Sequence, residues 1–192
     1  MKNKIAIFGS GAGSNAEKII NYFNKSEQKN SVVSLIVSSK PDAGIIKIAE
    51  KNNIPCIIIN KKDFNSGIYN ATIKSLADFI VLAGFLWQIP PSLIKEFPEK
   101  IINIHPALLP LYGGKGMYGH RVHEAVVSAG ERKSGITVHV VNENYDEGKI
   151  IFQADCAIEE NETAEDVAKK VQQLEHLHFS EQIETYIELI SS

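Results

Sequence analysis

Short apolar, β-branched runs alternate with helix-length amphipathic stretches through the first hundred residues. IAIF (5–8) precedes a helical pattern over Ala16–Asn24, VVSLIVS (32–38) precedes one over Ala43–Asn53, and CIII (56–59) precedes one over Phe64–Leu76. FIVLAG (79–84), a short helix from Pro91 and KIINI (100–104) follow. Continuous apolar strands separated by helices read as βαβ units, hence a parallel sheet covered on both faces with right-handed crossovers. Beyond residue 105 the pattern changes. His120–Ala129 predicts a helix stopped by Gly130, GITVHVVN (135–142) alternates like a strand, and IIFQADCAI (150–158) reads as another. The short link NENYDEGK makes these two antiparallel, so the sheet becomes mixed. Thr163-Ala-Glu-Asp166 has the form of a capping box and opens a long helix running to the end of the chain. The predicted fold class is α/β: an open, mostly parallel sheet with helices on both faces, a mixed or antiparallel C-terminal extension and a long C-terminal helix.

Composition narrows the partners. The 192 residues suffice for a sizeable core and read as one domain over 1–192, with 44% hydrophobic and 22% charged residues in the ordinary range. A net charge of −3 and a pI near 6.1 argue against a nucleic-acid footprint, which needs a basic face. No apolar run approaches the ~18 residues of a spanning helix, so no membrane partner is expected. IAIF is too short for a signal-peptide core, and a cytoplasmic location is expected. Cys56 and Cys156 lack a CxxC partner and are expected to be buried, reduced thiols. No metal is expected: His120, His123 and Glu124 lack an HExxH frame, His139 belongs to a separate strand, and His176 and His178, two apart on a helix, face apart.

Two stretches carry candidate chemistry. FGSGAGSN (8–15) lies between the first strand and first helix, where glycines admit close backbone approach and a helix N-terminus favours an anion. A monophosphate site fits best; a dinucleotide loop and a purely structural turn are the rivals. Ser14 stands where a third Gly or Ala would be needed for a dinucleotide, the second strand ends in Ser38-Ser-Lys40 without an acid, and no GK[ST] follows. NIHPALLPLYGGKGMYGH (103–120) follows the fifth strand, and ligands bind beyond the carboxyl ends of such strands. Asn103 and His105, two apart, project to one side, and Pro106 fixes the exit. The glycines of 113–119 suggest a mobile flap, with a long surface connection as the alternative. Asp146, in the turn between the late strands, is a third candidate, its alternative being a hairpin residue. An amide, an imidazole and a carboxylate suit acyl transfer without a nucleophilic side chain: two donors for an oxyanion and a carboxylate to charge the imidazole and manage protons.

GSN at 13–15, VLAGF at 81–85, NIHPALLP at 103–110 and YDEG at 145–148, in this order over nearly the whole chain, resemble the phosphoribosylglycinamide formyltransferase family. The resemblance implies a Rossmann-like half over about 1–100 that binds the phosphate and a half over about 101–192 that carries catalysis and the folate cleft. It implies transfer of the formyl group of 10-formyltetrahydrofolate to the amine of glycinamide ribonucleotide in purine biosynthesis, with no metal. By the same resemblance Asn103, His105 and Asp146 are catalytic, and Gly13, Ser14 and Asn15 hold the substrate phosphate. Gln172 and Glu175, in VQQLEH, meet the ribose and glycinamide, and Leu86, Trp87, Gln88, Ile89 and Asn103 meet the folate. Many relatives carry Met-Arg-Ile where this chain has Leu86-Trp87-Gln88-Ile89, which removes a basic side chain at Trp87. Methionyl-tRNA formyltransferase and formyltetrahydrofolate hydrolase share the core but normally carry added domains, and a non-catalytic nucleotide- or folate-binding module is the remaining alternative. The oligomeric state is left open.

Overall fold

Ile5, Ala6, Ile7 and Phe8 have no solvent-accessible surface, the signature of a strand covered on both faces. They form the middle of β1 (Asn3–Gly9). The computed structural model describes residues 2–25 and 29–191. After β1 come α1 (Ser14–Asn24), β2 (Ser31–Ser38), α2 (Gly44–Lys51), β3 (Cys56–Ile58), α3 (Lys61–Ser66), α4 (Asn70–Leu76), β4 (Phe79–Leu82) and α5 (Pro91–Glu96). Then follow β5 (Ile101–His105), α6 (His120–Ser128), β6 (Lys133–Val140), β7 (Ile150–Ala157) and α7 (Ala164–Ser191). The strands follow the hydrogen-bonded order β3-β2-β1-β4-β5-β6-β7. β1 pairs parallel with β2 and β4, and β2 with β3, whereas β6 and β7 are antiparallel. This is the mixed α/β architecture expected from the pattern.

The chain divides into two units, Met1–Ile102 and Asn103–Ser192. In the first, α1 buries Ala16, Ile19, Ile20 and Phe23, the i, i+3, i+4, i+7 stripe of a helix lying on a sheet. Each of the larger three contributes roughly 1.5–3 kcal/mol by leaving water. In the second, α7 packs on α6, β6 and β7 through Val167, Val171, Phe179, Ile183 and Ile187. Its start is the expected capping box. The Asp166 N–H donates to Thr163 Oγ1 at 3.2 Å, and the Thr163 N–H donates to Asp166 Oδ2 at 3.1 Å.

Two expectations are corrected. The helical pattern over Phe64–Leu76 is two helices, because Gly67 takes a left-handed backbone (φ 81°) that closes α3, and Asn60 starts that helix earlier by accepting the Asp63 N–H. Cys56 and Cys156 are reduced but only half-buried, since they lie on the outermost strands β3 and β7. Burial still pushes both thiols up, which makes them weak nucleophiles. Among the described residues no helix is long and apolar enough to cross a membrane.

Candidate active site

β5 ends in Asn103-Ile104-His105, and the polar side chains at its end meet groups from β6 and from the turn before β7. Asn103 Nδ2 lies 3.0 Å from His139 Nε2. His139 Nδ1 lies 3.0 Å from the Val140 carbonyl, which can only accept, so Nδ1 carries the proton. Nε2 is then the acceptor, and the Asn103 amide donates one N–H to it. The second N–H of that amide is left to serve a ligand.

His105 is similarly defined. Its Nε2 donates to the Tyr112 carbonyl at 2.8 Å, and its Nδ1 faces Asp146 Oδ2 at 3.5 Å. Asp146 Oδ2 also accepts the Gly114 N–H at 2.9 Å, while Oδ1 lies 3.6 Å from His139 Nε2. Both imidazoles are almost wholly buried, at 3% and 2% exposure. Burial pushes His105 below the ordinary imidazole range; Asp146 and the Tyr112 carbonyl pull upward without winning, and His139 adds to the depression. Burial pushes the Asp146 carboxyl up, but the His139 and His105 rings and the Gly114 N–H together outweigh it and hold the group below its usual value. The resting pair is therefore a neutral imidazole against a carboxylate, with Nδ1 placed to take a proton and become an ion-pair partner.

The turn that delivers Asp146 is locked. Gly148 lies so close to the Val140 carbonyl that a Cβ there would collide with backbone, and the Val140 N–H donates to the Lys149 carbonyl at 2.9 Å. The loop leaving β5 is clamped too. Thr137 Oγ1 donates to the Ala107 carbonyl at 2.7 Å and accepts the Leu109 N–H at 3.0 Å, and Gln153 Nε2 donates to the Leu109 carbonyl at 3.0 Å.

Of the residues singled out in the sequence, Asn103, His105 and Asp146 converge, joined by His139. Gly13, Ser14 and Asn15 lie at the N-terminus of α1, whose N-cap position is Gly13 and so brings no side chain of its own to the free N–H groups. Gly13 is left-handed (φ 84°), and a Cβ on it would come within 2.9 Å of Ile45 Cα, so both backbone and space demand glycine. Leu86 and Gln88 are exposed, whereas Ile89 is buried and the Trp87 ring packs on Phe64 and Phe85 with centroids 6.1 and 5.9 Å away. Gln172 is exposed and Glu175 half-buried on α7. The glycine-rich segment 113–119 starts beside the site, where the Tyr112 carbonyl meets His105 and the Gly114 N–H meets Asp146, and Tyr112 Oη donates to Glu131 at 2.7 Å. His139 carries no role in the sequence reading beyond belonging to a separate strand. The alternation marks only its face: Thr137 and His139 are polar at i, i+2 between the apolar Ile136, Val138 and Val140. Among the described residues no cluster of His, Cys, Asp or Glu is placed to hold a metal ion.

The formyl transferase family model matches residues 3–183. The chloroplastic phosphoribosylglycinamide formyltransferase of Arabidopsis thaliana is 41% identical over 182 residues, covering 91% of this chain and 62% of that protein, so the chain spans less than two thirds of the plant relative. The phosphoribosylglycinamide formyltransferase of Bacillus subtilis is 36% identical over 179 residues, covering 90% of this chain and 89% of that one. The crystal structure of the Bacillus halodurans phosphoribosylglycinamide formyltransferase aligns with a TM-score of 0.85 at 32% identity, over 95% of this chain and 94% of that one. The chain therefore belongs to the formyl transferase family, among the phosphoribosylglycinamide formyltransferases.

Proposed function

We propose that this chain transfers the formyl group of 10-formyltetrahydrofolate to the amine of glycinamide ribonucleotide, in purine biosynthesis. The observation that carries the reading is the Asn103–His139–Asp146–His105 cluster: two hydrogen-bond donors and a carboxylate at one strand end. In this reading the substrate amine attacks the formyl carbon directly. The oxygen of the tetrahedral intermediate takes the second Asn103 N–H and the His105 Nε2–H, the latter once the Tyr112 carbonyl has given it up. Asp146 favours proton uptake at His105 Nδ1 as negative charge builds on that oxygen, and through water it helps remove the amine proton. Collapse breaks the bond from the formyl carbon to N10, which leaves with a proton as tetrahydrofolate. The N-terminus of α1, with Gly13, Ser14 and Asn15, receives the phosphate. Leu86, Trp87, Gln88 and Ile89 are assigned to the folate through backbone and apolar contacts, and Gln172 and Glu175 to the ribose and glycinamide. In this reading the half over about residues 1–100 binds the phosphate and the half over about 101–192 carries catalysis and the folate cleft, within a single domain over 1–192.

The test is a formyl-transfer assay offering glycinamide ribonucleotide, water and initiator methionyl-tRNA to 10-formyltetrahydrofolate. Formylglycinamide ribonucleotide is the expected product. Formylation of tRNA alone, or hydrolysis alone, would replace this reading with one of the sister activities.

A further inference from the structure

Three loops beyond the ends of β1, β2 and β4 meet at one buried hydroxyl. The Ser10 N–H donates to the Gly84 carbonyl at 3.1 Å, and Ser10 Oγ accepts the Leu86 N–H at 3.2 Å. The same oxygen lies 2.6 Å from Ser39 Oγ, and the Ser39 N–H donates to the Gly9 carbonyl at 3.3 Å. Ser10 is 4% exposed and Ser39 8%. Below them the Phe8 and Phe85 rings pack edge to face with centroids 5.3 Å apart. Loop closure alone needs only backbone bonds. Here a buried side chain is committed to one particular amide, that of Leu86, and the loop carrying that side chain runs on directly to Gly13, Ser14 and Asn15.

We infer that Ser10 is a positioning residue that couples occupancy at the N-terminus of α1 to the placement of the Leu86–Ile89 segment. This rests on the proposed assignment of those segments to the nucleotide phosphate and the formyl donor. A phosphate held by the amides of Gly13–Asn15 fixes the loop that starts at Ser10. The Ser10 hydroxyl then holds the Leu86 N–H, and with it the exposed edge of the donor segment, in one place. Coupling of this kind is reciprocal, so each ligand tightens the other by the same factor.

Trp87, the only tryptophan in the chain, adjoins Leu86 and reports on the segment by its fluorescence. Tetrahydrofolate is titrated into the wild-type protein with and without saturating glycinamide ribonucleotide, and the reverse titration is run. The expected result is roughly fivefold or greater mutual tightening and a change in Trp87 emission on nucleotide binding alone. In Ser10→Ala both ligands still bind, but the tightening and the nucleotide-induced emission change are lost; Ser39→Ala, which keeps the Ser10–Leu86 bond but removes its support, loses part of both. Ser10→Thr, which restores the hydroxyl, recovers the coupling. If Ser10→Ala fails to fold, Ser39→Ala carries the test. Unchanged coupling in the folded variants, or none in the wild type, overturns the inference. Failure of the wild type to bind glycinamide ribonucleotide at all would instead overturn the functional reading beneath it.

Discussion

The Asn103 amide donates one proton to His139 Nε2 at 3.0 Å, and that bond decides which way the amide faces. Without it the side chain could turn its oxygen toward the developing oxyanion, where like charges would repel.

His139→Ala is therefore expected to lower kcat by roughly ten- to a hundredfold with little effect on nucleotide affinity, while Asn103→Ala costs about a hundredfold or more, the scale of one oxyanion donor. Because His139 acts through Asn103, the double variant should be little worse than Asn103→Ala alone. Steady-state kinetics of the three proteins check this; multiplicative losses would mean that His139 acts independently.

Asp146→Asn keeps the size and shape of the side chain but removes the charge facing His105 Nδ1 and the acceptor strength offered to the Gly114 N–H. Turnover is expected to fall about a hundredfold or more. Circular dichroism and nucleotide binding should match the wild type. Wild-type turnover in the folded variant would reduce Asp146 to a turn residue.

Thr137→Val retains volume but strips hydrogen bonds from the Ala107 carbonyl, the Leu109 N–H and Gln153, at a site with no solvent exposure. Leaving such groups unsatisfied costs about 1–3 kcal/mol each, less any relaxation, so a loss of roughly 2–4 kcal/mol in urea unfolding is expected. A loss under 0.5 kcal/mol would show that the loop leaving β5 is held by other means.

Replacing Gly13 with Ala forces a left-handed, crowded residue at the start of α1. Glycinamide ribonucleotide affinity should drop at least tenfold while tetrahydrofolate affinity alone changes by less than about threefold. Isothermal titration with each ligand distinguishes this from general damage, which would weaken both.

Burial holds His105 and His123 below the ordinary imidazole value. For His123 the neighbouring His120 and His105 add to burial, and Glu165 opposes it. The unfolded chain, with imidazoles near about 6.5, thus takes up protons first, and stability falls as pH drops through about 6.5, levelling off below the folded values. Asp146, held low, adds a loss only at more acid pH, below about 3.9. Thermal unfolding at pH 7.5, 6.5 and 5.5 should show the decline, and His123→Gln should flatten it.

Much of this was legible because it rests on local rules. The β-branched runs gave the strands, Thr163 and Asp166 gave the start of α7, and Asn103 and His105 stood out by lying two apart before a proline. His139 was not legible as a partner, since a polar residue in a strand reveals nothing about which turn from elsewhere will face it. The break at Gly67 was hidden by apolar residues that keep a helical spacing across it. Half-burial of Cys56 and Cys156 depends on which strands end up outermost, a property of strand order that a single sequence does not state. Trp87 stands in the segment that the resemblance assigns to the folate; that its ring also packs on Phe64 and Phe85 depends on where α3 lies, which the sequence does not state.

Asp146 has a left-handed backbone, φ 56°. Among residues with a Cβ, Asp and Asn visit that conformation most readily, because their short polar side chains bond locally. Two unrelated demands therefore converge on one position: the main chain asks for Asp, Asn or Gly, and the chemistry asks for a carboxylate. Only aspartate meets both. Glutamate, the chemically conservative exchange, is the structurally costly one here, and asparagine, the structurally silent exchange, is the chemically costly one. A drifting sequence thus has no neutral single step away from Asp146, whichever constraint is relaxed first.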